Sequence, residues 1–170
     1  MYKVNKNIPQ HLMGQLIQYS NNADDKDVQT TSDPKRFKDE NSINEWLKKG
    51  RTIYTLENNG VLLGIFWFGK AEIPDEIKEY NMQYTFAGRL YGELRGKGLF
   101  REILRNMFKI FIDDKNYDGG GFWGESKNPA MIKSCEKIGF KQVGKNKIDT
   151  NIKSNSWENK QVFMVAKNIY

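Results

Sequence analysis

Apolar residues recur along the chain with a helical spacing in some segments and as short strand-like runs in others. The clearest helical pattern places seven apolar residues on one face: Leu99, Ile103, Leu104, Met107, Phe108, Phe111 and Ile112. Another helix has a defined start and end, because Asn128 suits an N-cap, Pro129 suits the first turn and Gly139 follows the last turn. The four predicted helices cover residues 9–19, 42–49, 99–112 and 128–138.

Strands are predicted where short apolar runs lie between turn-forming residues. The pair Asn59-Gly60 separates two such runs and indicates a hairpin. Gly88 and Gly92 mark bends in one long strand. The seven predicted strands cover residues 2–5, 51–57, 61–70, 83–94, 119–126, 140–143 and 162–166. Antiparallel strands followed by two strand–helix units predict an α/β (α+β) fold with a mixed sheet and helices on both faces.

Two polar segments interrupt this pattern. Residues 21–40 are charged and poor in apolar side chains, which predicts a loop, either a simple surface loop or a flap on the acceptor side. Residues 145–159 form a second polar loop. Ser42 and Glu45 have the spacing of a capping box at the start of the second predicted helix.

The composition fits one globular domain and excludes several classes of site. The chain has 170 residues, of which 38% are hydrophobic and 13% aromatic, which is enough for one packed core. A single cysteine excludes an internal disulfide, and a single histidine leaves no His/Cys cluster for zinc, so no metal is expected. No secretory pattern and no apolar run of about 18 residues is found, so we expect the cytoplasm. The net charge of +6 favours anionic partners without choosing among them.

A glycine-rich segment joins the strand predicted at 83–94 to the best helix. It reads Glu93-Leu94-Arg95-Gly96-Lys97-Gly98-Leu99-Phe100-Arg101. Gly96 and Gly98 lack Cβ atoms, so successive amide N–H groups can point at one spot, and that spot lies at a helix N-terminus that favours an anion. The segment therefore fits either a pyrophosphate-binding turn or an ordinary strand-to-helix turn. It lacks the P-loop pattern and the third glycine of the dinucleotide fingerprint.

The same segment resembles the Arg/Gln-x-x-Gly-x-Gly/Ala signature of the GNAT acyltransferases, which binds the pyrophosphate of CoA. A second block is similar to the family's Asn-x-x-(Ala/Ser)-Ile-…-Glu-Lys-Leu-Gly-Phe pattern: Asn128-Pro129-Ala130-Met131-Ile132-Lys133-Ser134-Cys135-Glu136-Lys137-Ile138-Gly139-Phe140. The two blocks occur in the family's order with a predicted strand between them. The resemblance covers residues 51–143. It implies a mixed, mostly antiparallel sheet of six to seven strands flanked by about four helices.

The resemblance also implies an activity, namely N-acetyl transfer from acetyl-CoA to a primary amine by direct attack on the thioester. One domain would span residues 1–170. Residues 1–50 would form the acceptor-side helices and flap, residues 51–143 the acyl-CoA-binding core, and residues 144–170 the C-terminal strands. The expected partners are acetyl-CoA and an amine acceptor, with no nucleic acid and no membrane. The sequence specifies neither the acceptor nor whether the chain forms a homodimer.

The CoA-binding residues follow from the matched positions of the two blocks and the preceding strand. They are Leu90, Gly92, Arg95, Gly96, Lys97, Gly98, Leu99, Phe100, Arg101, Asn128 and Lys133. Leu90 and Gly92 would pair their backbone with the pantetheine amides, and the strand near Leu90 would supply the oxyanion donor. Phe100 replaces the last small residue of the signature, and we expect its amide still to serve the phosphate.

Three residues are candidates for proton transfer. Glu93 would act as the base, or it is only a charge at the mouth of a loop. Glu125 is the second candidate base, and burial would raise its pKa. Cys135 stands where many family members carry an acidic tyrosine, so it would be a weak acid or a small apolar packing residue.

Two other functions remain open from the sequence alone. A protein of the same fold that binds acyl-CoA without catalysis is compatible with the missing tyrosine. A nucleic-acid-binding module would fit the basic charge and the aromatic residues, but the charges are dispersed and interleaved with acids.

Overall fold

The computed structural model of the chain describes residues 1–31, 34–151 and 160–170. Within these ranges the helices are α1 (Gln10–Asn21), α2 (Lys26–Thr31), α3 (Glu40–Leu47), α4 (Phe100–Ile112) and α5 (Pro129–Glu136). The strands are β1 (Lys3–Lys6), β2 (Thr52–Asn58), β3 (Val61–Lys70), β4 (Tyr84–Leu90), β5 (Phe122–Ser126), β6 (Lys141–Val143) and β7 (Val162–Ala166). Short 3-10 turns lie at Pro34–Phe37, Asp75–Tyr80 and Gly92–Leu94. None of the helices in the described ranges has the length and apolarity needed to cross a bilayer.

The seven strands form one sheet in the order β1-β2-β3-β4-β5-β7-β6. β1 pairs with β2, β2 with β3, β5 with β7 and β6 with β7 in antiparallel ladders, while β4 and β5 are parallel. The predicted fold class, a mixed and mostly antiparallel sheet with flanking helices, is confirmed. By contact density the chain divides into two compact units, residues 1–69 with 88–97, and residues 70–87 with 98–170.

In the first unit, β2 and β3 form the predicted hairpin. Asn59 and Gly60 take left-handed φ values of 49° and 78° at its turn. Trp46 of α3 and Trp67 of β3 are both buried and meet edge to face with ring centroids 5.3 Å apart. Phe37 packs against both of them, so one aromatic cluster joins these elements.

In the second unit, the apolar face of α4 packs on the sheet. Phe108 is fully buried, and its ring centroid lies 4.7 Å from that of Phe86 and 4.9 Å from that of Phe122. α5 begins as predicted, because the side chain of Asn128 accepts hydrogen bonds from the first amides of the helix. Gly139 follows its last turn with a left-handed φ of 111°.

The segment predicted as a loop at 21–40 is partly helical, which corrects that prediction. α2 and the 3-10 turn at Pro34–Phe37 lie within it. The prediction failed because the segment buries few apolar side chains, such as Val28 and Phe37, and these form no periodic pattern. Residues 32–33 of this segment, and residues 152–159 of the second polar loop, lie outside the described residues.

Several boundaries also differ from the prediction, and two of them have an identifiable cause. α3 is capped by Asp39, whose side chain accepts from the Ser42 amide, so Ser42 is not the cap. β4 ends at Leu90 and does not continue to residue 94, because Gly92 turns the chain with a left-handed φ of 50°.

Candidate active site

The connection from β4 to α4, residues 91–99, is here called the β4–α4 turn. Gly96 and Gly98 adopt left-handed φ values of 72° and 69°, a conformation that other residues rarely take. A Cβ atom at either position would meet no heavy atom within 4 Å beyond those of its own and the adjacent residues. Both glycines are exposed, so the middle of the turn is open to solvent.

The amides of this turn divide into two groups. The amides of Leu94 and Arg95 donate to the carbonyls of Tyr91 and Gly92, at 3.3 and 3.2 Å. In the described part of the chain, no acceptor is found for the next four amides, those of Gly96, Lys97, Gly98 and Leu99. α4 begins after Leu99 without a side-chain cap. Unused amides at the start of a thirteen-residue helix favour an anion.

The cationic side chains of the turn and of the first turn of α4 differ in their surroundings. Lys97 and Arg101 are exposed. Arg95 is instead engaged with the protein, since its Nε donates to the Leu90 carbonyl at 2.5 Å and its guanidinium donates to Asp25 Oδ2 at 2.7 Å. The positive charge directed towards solvent at this turn therefore comes from Lys97 and Arg101.

Asp25 uses both of its carboxylate oxygens. Oδ2 accepts from Arg95, and Oδ1 accepts from the Val28 amide at the start of α2 at 3.1 Å. Burial raises the pKa of Asp25, but the hydrogen bonds from Arg95 and Val28 and the positive charge of Arg95 outweigh burial, so the pKa is lowered overall. Asp25 is therefore an ionised anchor between α2 and the β4–α4 turn.

The backbone amides of successive β4 residues point alternately to the two edges of the strand. The Tyr91 amide donates to the Leu63 carbonyl of β3 at 2.8 Å, so the amides of Gly88 and Leu90 point to the opposite edge. The ladder between β4 and β5 comprises two residue pairs, Tyr84↔Phe122 and Thr85↔Trp123. Gly92, which sequence reasoning placed in this strand, lies in the 3-10 turn instead.

The three proton-transfer candidates lie in different environments. Glu93 is exposed in the β4–α4 turn. Glu125 is exposed on β5, so it does not have the buried environment considered for a base. Cys135 is completely buried in α5, and burial, followed by the charge of Glu136, raises the pKa of its thiol. Because the thiol is buried in the core, the structure favours a packing role for Cys135 over the role of a weak acid.

The remaining predicted residues lie in or immediately before two helices. The half-buried Phe100 begins α4, and Asn128 precedes α5. Asn128 Oδ1 accepts from the amides of Ala130 and Met131 at 3.0 and 3.4 Å, which leaves its Nδ2 group for another partner. Lys133 is exposed on α5.

Sequence reasoning did not find Asp25 or the aromatic pair beside it. Tyr19 of α1 stacks on Tyr91 with ring centroids 4.7 Å apart, and the Arg95 guanidinium lies 5.9 Å from the centre of the Tyr91 ring. Asp25 and Tyr19 are far in sequence from Arg95 and Tyr91, so no local spacing could have indicated these two contacts.

Comparison with solved structures finds N-acetyltransferases that share this fold over nearly the whole chain. The aminoglycoside acetyltransferase AAC(6')-Ib in complex with coenzyme A and kanamycin is 16% identical, covers 98% of this chain and 95% of its own, and has a TM-score of 0.66. A chimera of the spermidine N-acetyltransferase SpeG from Vibrio cholerae and hSSAT is 13% identical, with coverages of 98% and 95% and a TM-score of 0.63. A ribosomal-protein-alanine N-acetyltransferase from Brucella melitensis is 15% identical, with coverages of 97% and 99% and a TM-score of 0.61.

The fold of this chain is therefore that of the GNAT acetyltransferases, as the two sequence blocks predicted. No protein-family model matches the chain, and no curated protein matches it by sequence.

Proposed function

We propose that this protein is an acyl-CoA-dependent N-acetyltransferase that moves an acetyl group from acetyl-CoA to a primary amine. The observation that carries the proposal is the set of four amides at Gly96, Lys97, Gly98 and Leu99, which have no acceptor in the described ranges and precede an uncapped helix. A diphosphate is the kind of ligand that such a helix N-terminus binds. The fold shared with N-acetyltransferases supports the same assignment.

In this proposal the phosphates of CoA are held mainly by backbone. The amides of residues 96–99 bind the pyrophosphate at the N-terminal end of α4. The exposed cations Lys97 and Arg101 add charge at the turn, and Lys133 adds charge from α5. Asn128 caps α5 through Oδ1 and offers Nδ2 to the pantetheine arm.

The pantetheine arm would pair with the edge of β4 that carries the amides of Gly88 and Leu90. The carbonyl of Leu90 already accepts from Arg95, so Leu90 would contribute its N–H to the ligand. Gly92 would contact the arm from the 3-10 turn and not as part of a strand. This pairing places the reacting thioester near the Leu90 amide, which would stabilise the tetrahedral oxyanion.

The reaction needs two proton transfers and the exchange of a C–S bond for a C–N bond. The protonated amine gives one proton to a base, and the neutral nitrogen then attacks the thioester carbonyl. When the tetrahedral intermediate collapses, the C–S bond breaks, the nitrogen loses its second proton, and the CoA thiolate takes up a proton. Glu93 is the preferred base because it lies in the β4–α4 turn and is accessible to water. The buried thiol of Cys135 lacks the access that an acid for the thiolate would need.

The proposed activity is tested by measuring the release of free thiol from acetyl-CoA in the presence of a panel of amines. The amine that supports release identifies the class of acceptor. The panel contains spermidine, kanamycin and a peptide with an alanine N-terminus, chosen after the names of the structural neighbours. Free amino acids complete the panel. We expect thiol release that depends on at least one amine. A protein that binds CoA and releases no thiol with any member of the panel would favour the non-catalytic alternative.

A further inference from the structure

The ion pair between Asp25 and Arg95 joins two segments 70 residues apart within one compact unit. Asp25 lies between α1 and α2, and Arg95 lies in the β4–α4 turn. The side chain of Asp25 is 15% exposed and that of Arg95 is 33% exposed, so water screens the contact only partly. The contact therefore fixes the position of the Arg95 side chain.

Arg95 in turn holds the backbone of the β4–α4 turn. Its Nε donates to the Leu90 carbonyl at 2.5 Å, which links the end of β4 to a residue five positions later. The amides without an acceptor among residues 1–31, 34–151 and 160–170 begin at the very next residue, Gly96. Any change that releases Arg95 removes a constraint from the start of the proposed phosphate-binding segment.

The other end of the ion pair is equally constrained. Asp25 Oδ1 accepts from the Val28 amide, and its carbonyl accepts from the Gln29 amide at 3.0 Å. The stacked rings of Tyr19 and Tyr91 provide a second contact between the same two regions of the chain. The segment at α1–α2 and the β4–α4 turn are thus held together by an ionic and an aromatic contact.

We propose that Asp25 is a positioning residue that, through Arg95, holds the β4–α4 turn in the conformation that binds acyl-CoA. The inference rests on the proposed function and deepens it. Arg95 then acts on CoA indirectly, by fixing the backbone whose amides bind phosphate, and not as a phosphate ligand itself. Binding of acyl-CoA is consequently coupled to the position of the segment that carries α2.

The two roles of Arg95 predict opposite effects of removing the charge of Asp25. If Arg95 positions the turn, the loss weakens CoA binding, because the backbone loses its constraint. If Arg95 binds phosphate directly, the loss frees the guanidinium, and CoA binding stays equal or becomes tighter. The direction of the change in Kd therefore separates the two roles.

The test measures the Kd of CoA by isothermal titration calorimetry for the full chain and its Asp25→Asn variant. Asparagine keeps an oxygen for the Val28 amide but places no charge against Arg95, so α2 keeps its cap. Asp24→Asn is the matched control, because it removes the same charge from the neighbouring exposed position. We expect Asp25→Asn to bind CoA about tenfold more weakly, within the usual range of coupling energies, and Asp24→Asn to bind as the wild type does.

A double variant tests whether the effect passes through Arg95. In an Arg95→Gln background, Asp25→Asn should cause no further loss of CoA affinity, whereas a general loss of structure would add to the first effect. Unchanged or tighter binding by Asp25→Asn, an equal effect of Asp24→Asn, or additive losses in the double variant would each overturn the inference. Failure of the wild type to bind CoA would instead refute the proposed function.

Discussion

At the scale of single residues, the charge state of Asp25 links stability to pH. Hydrogen bonds and nearby cations lower its pKa in the folded protein despite its burial. An unfolded aspartate titrates near a pKa of about 3.9. The stabilisation is therefore fully present above about pH 4 and is lost as the pH falls through the lower folded pKa.

Urea unfolding of the wild type and of Asp25→Asn, measured from neutral pH to about pH 3, tests this linkage. At neutral pH the wild type should be more stable by up to about 1 kcal/mol, because the pair is partly exposed. The difference should shrink as the pH falls, since a protonated aspartate resembles asparagine. Parallel stability curves over the whole range would show that Asp25 has no lowered pKa in the folded state.

The residues of the β4–α4 turn show how far single positions can be predicted. The glycines at 96 and 98 and the cations around them follow from the motif, because the backbone conformation there depends on local sequence. The partner of Arg95 does not, because Asp25 lies 70 residues earlier in a segment without an apolar pattern. Exposure of Glu125 was also unpredictable, since it depends on which elements cover the end of β5.

At the scale of elements, the start of α5 depends on one side chain. Asn128 Oδ1 accepts from the amides of Ala130 and Met131, which a helix cannot satisfy internally. Asn128→Ala should lower the free energy of unfolding by about 1 kcal/mol. Asn128→Asp should stay within about 0.5 kcal/mol of the wild type, because aspartate caps equally well and its charge suits a helix N-terminus.

Urea denaturation of both variants at neutral pH provides the measurement. If Asn128→Asp lowers the free energy of unfolding as much as Asn128→Ala does, Asn128 does not stabilise the protein by capping α5.

Elements with strong boundary signals were predicted well, and those without them were not. α4 and α5 have an apolar stripe or a cap and a stop, and their observed bounds differ from the predicted ones by at most two residues. β4 was predicted too long because its apolar pattern continues past Leu90, while Gly92 turns the chain. α2 was missed because few of its side chains are apolar, and a short helix of this kind depends on tertiary contacts.

At the scale of the whole molecule, the sequence predicted the kind of sheet but not the order in which its strands pair. Runs of antiparallel strands followed by strand–helix units indicated a mixed sheet, and the motif resemblance narrowed this to the acetyltransferase fold. The sequence could not show that β7 lies between β5 and β6, because such an arrangement depends on long-range pairing. The net charge of +6 is explained in part if the ligand carries the phosphates of CoA.

The proposed activity depends on backbone amides at residues 96–99 that bind the pyrophosphate of acyl-CoA. The Kd of CoA for Gly98→Asp and Gly98→Asn, measured by calorimetry, tests this binding, and circular dichroism confirms that both variants are folded. Both side chains tolerate left-handed backbone better than most residues, and both enter the same open space, so the pair differs mainly in charge.

We predict that Gly98→Asp binds CoA at least about tenfold more weakly than Gly98→Asn, because a carboxylate close to the phosphates repels them by well over 1 kcal/mol. Equal affinities in two folded variants would contradict the account, because they would show that the phosphates do not lie at this turn.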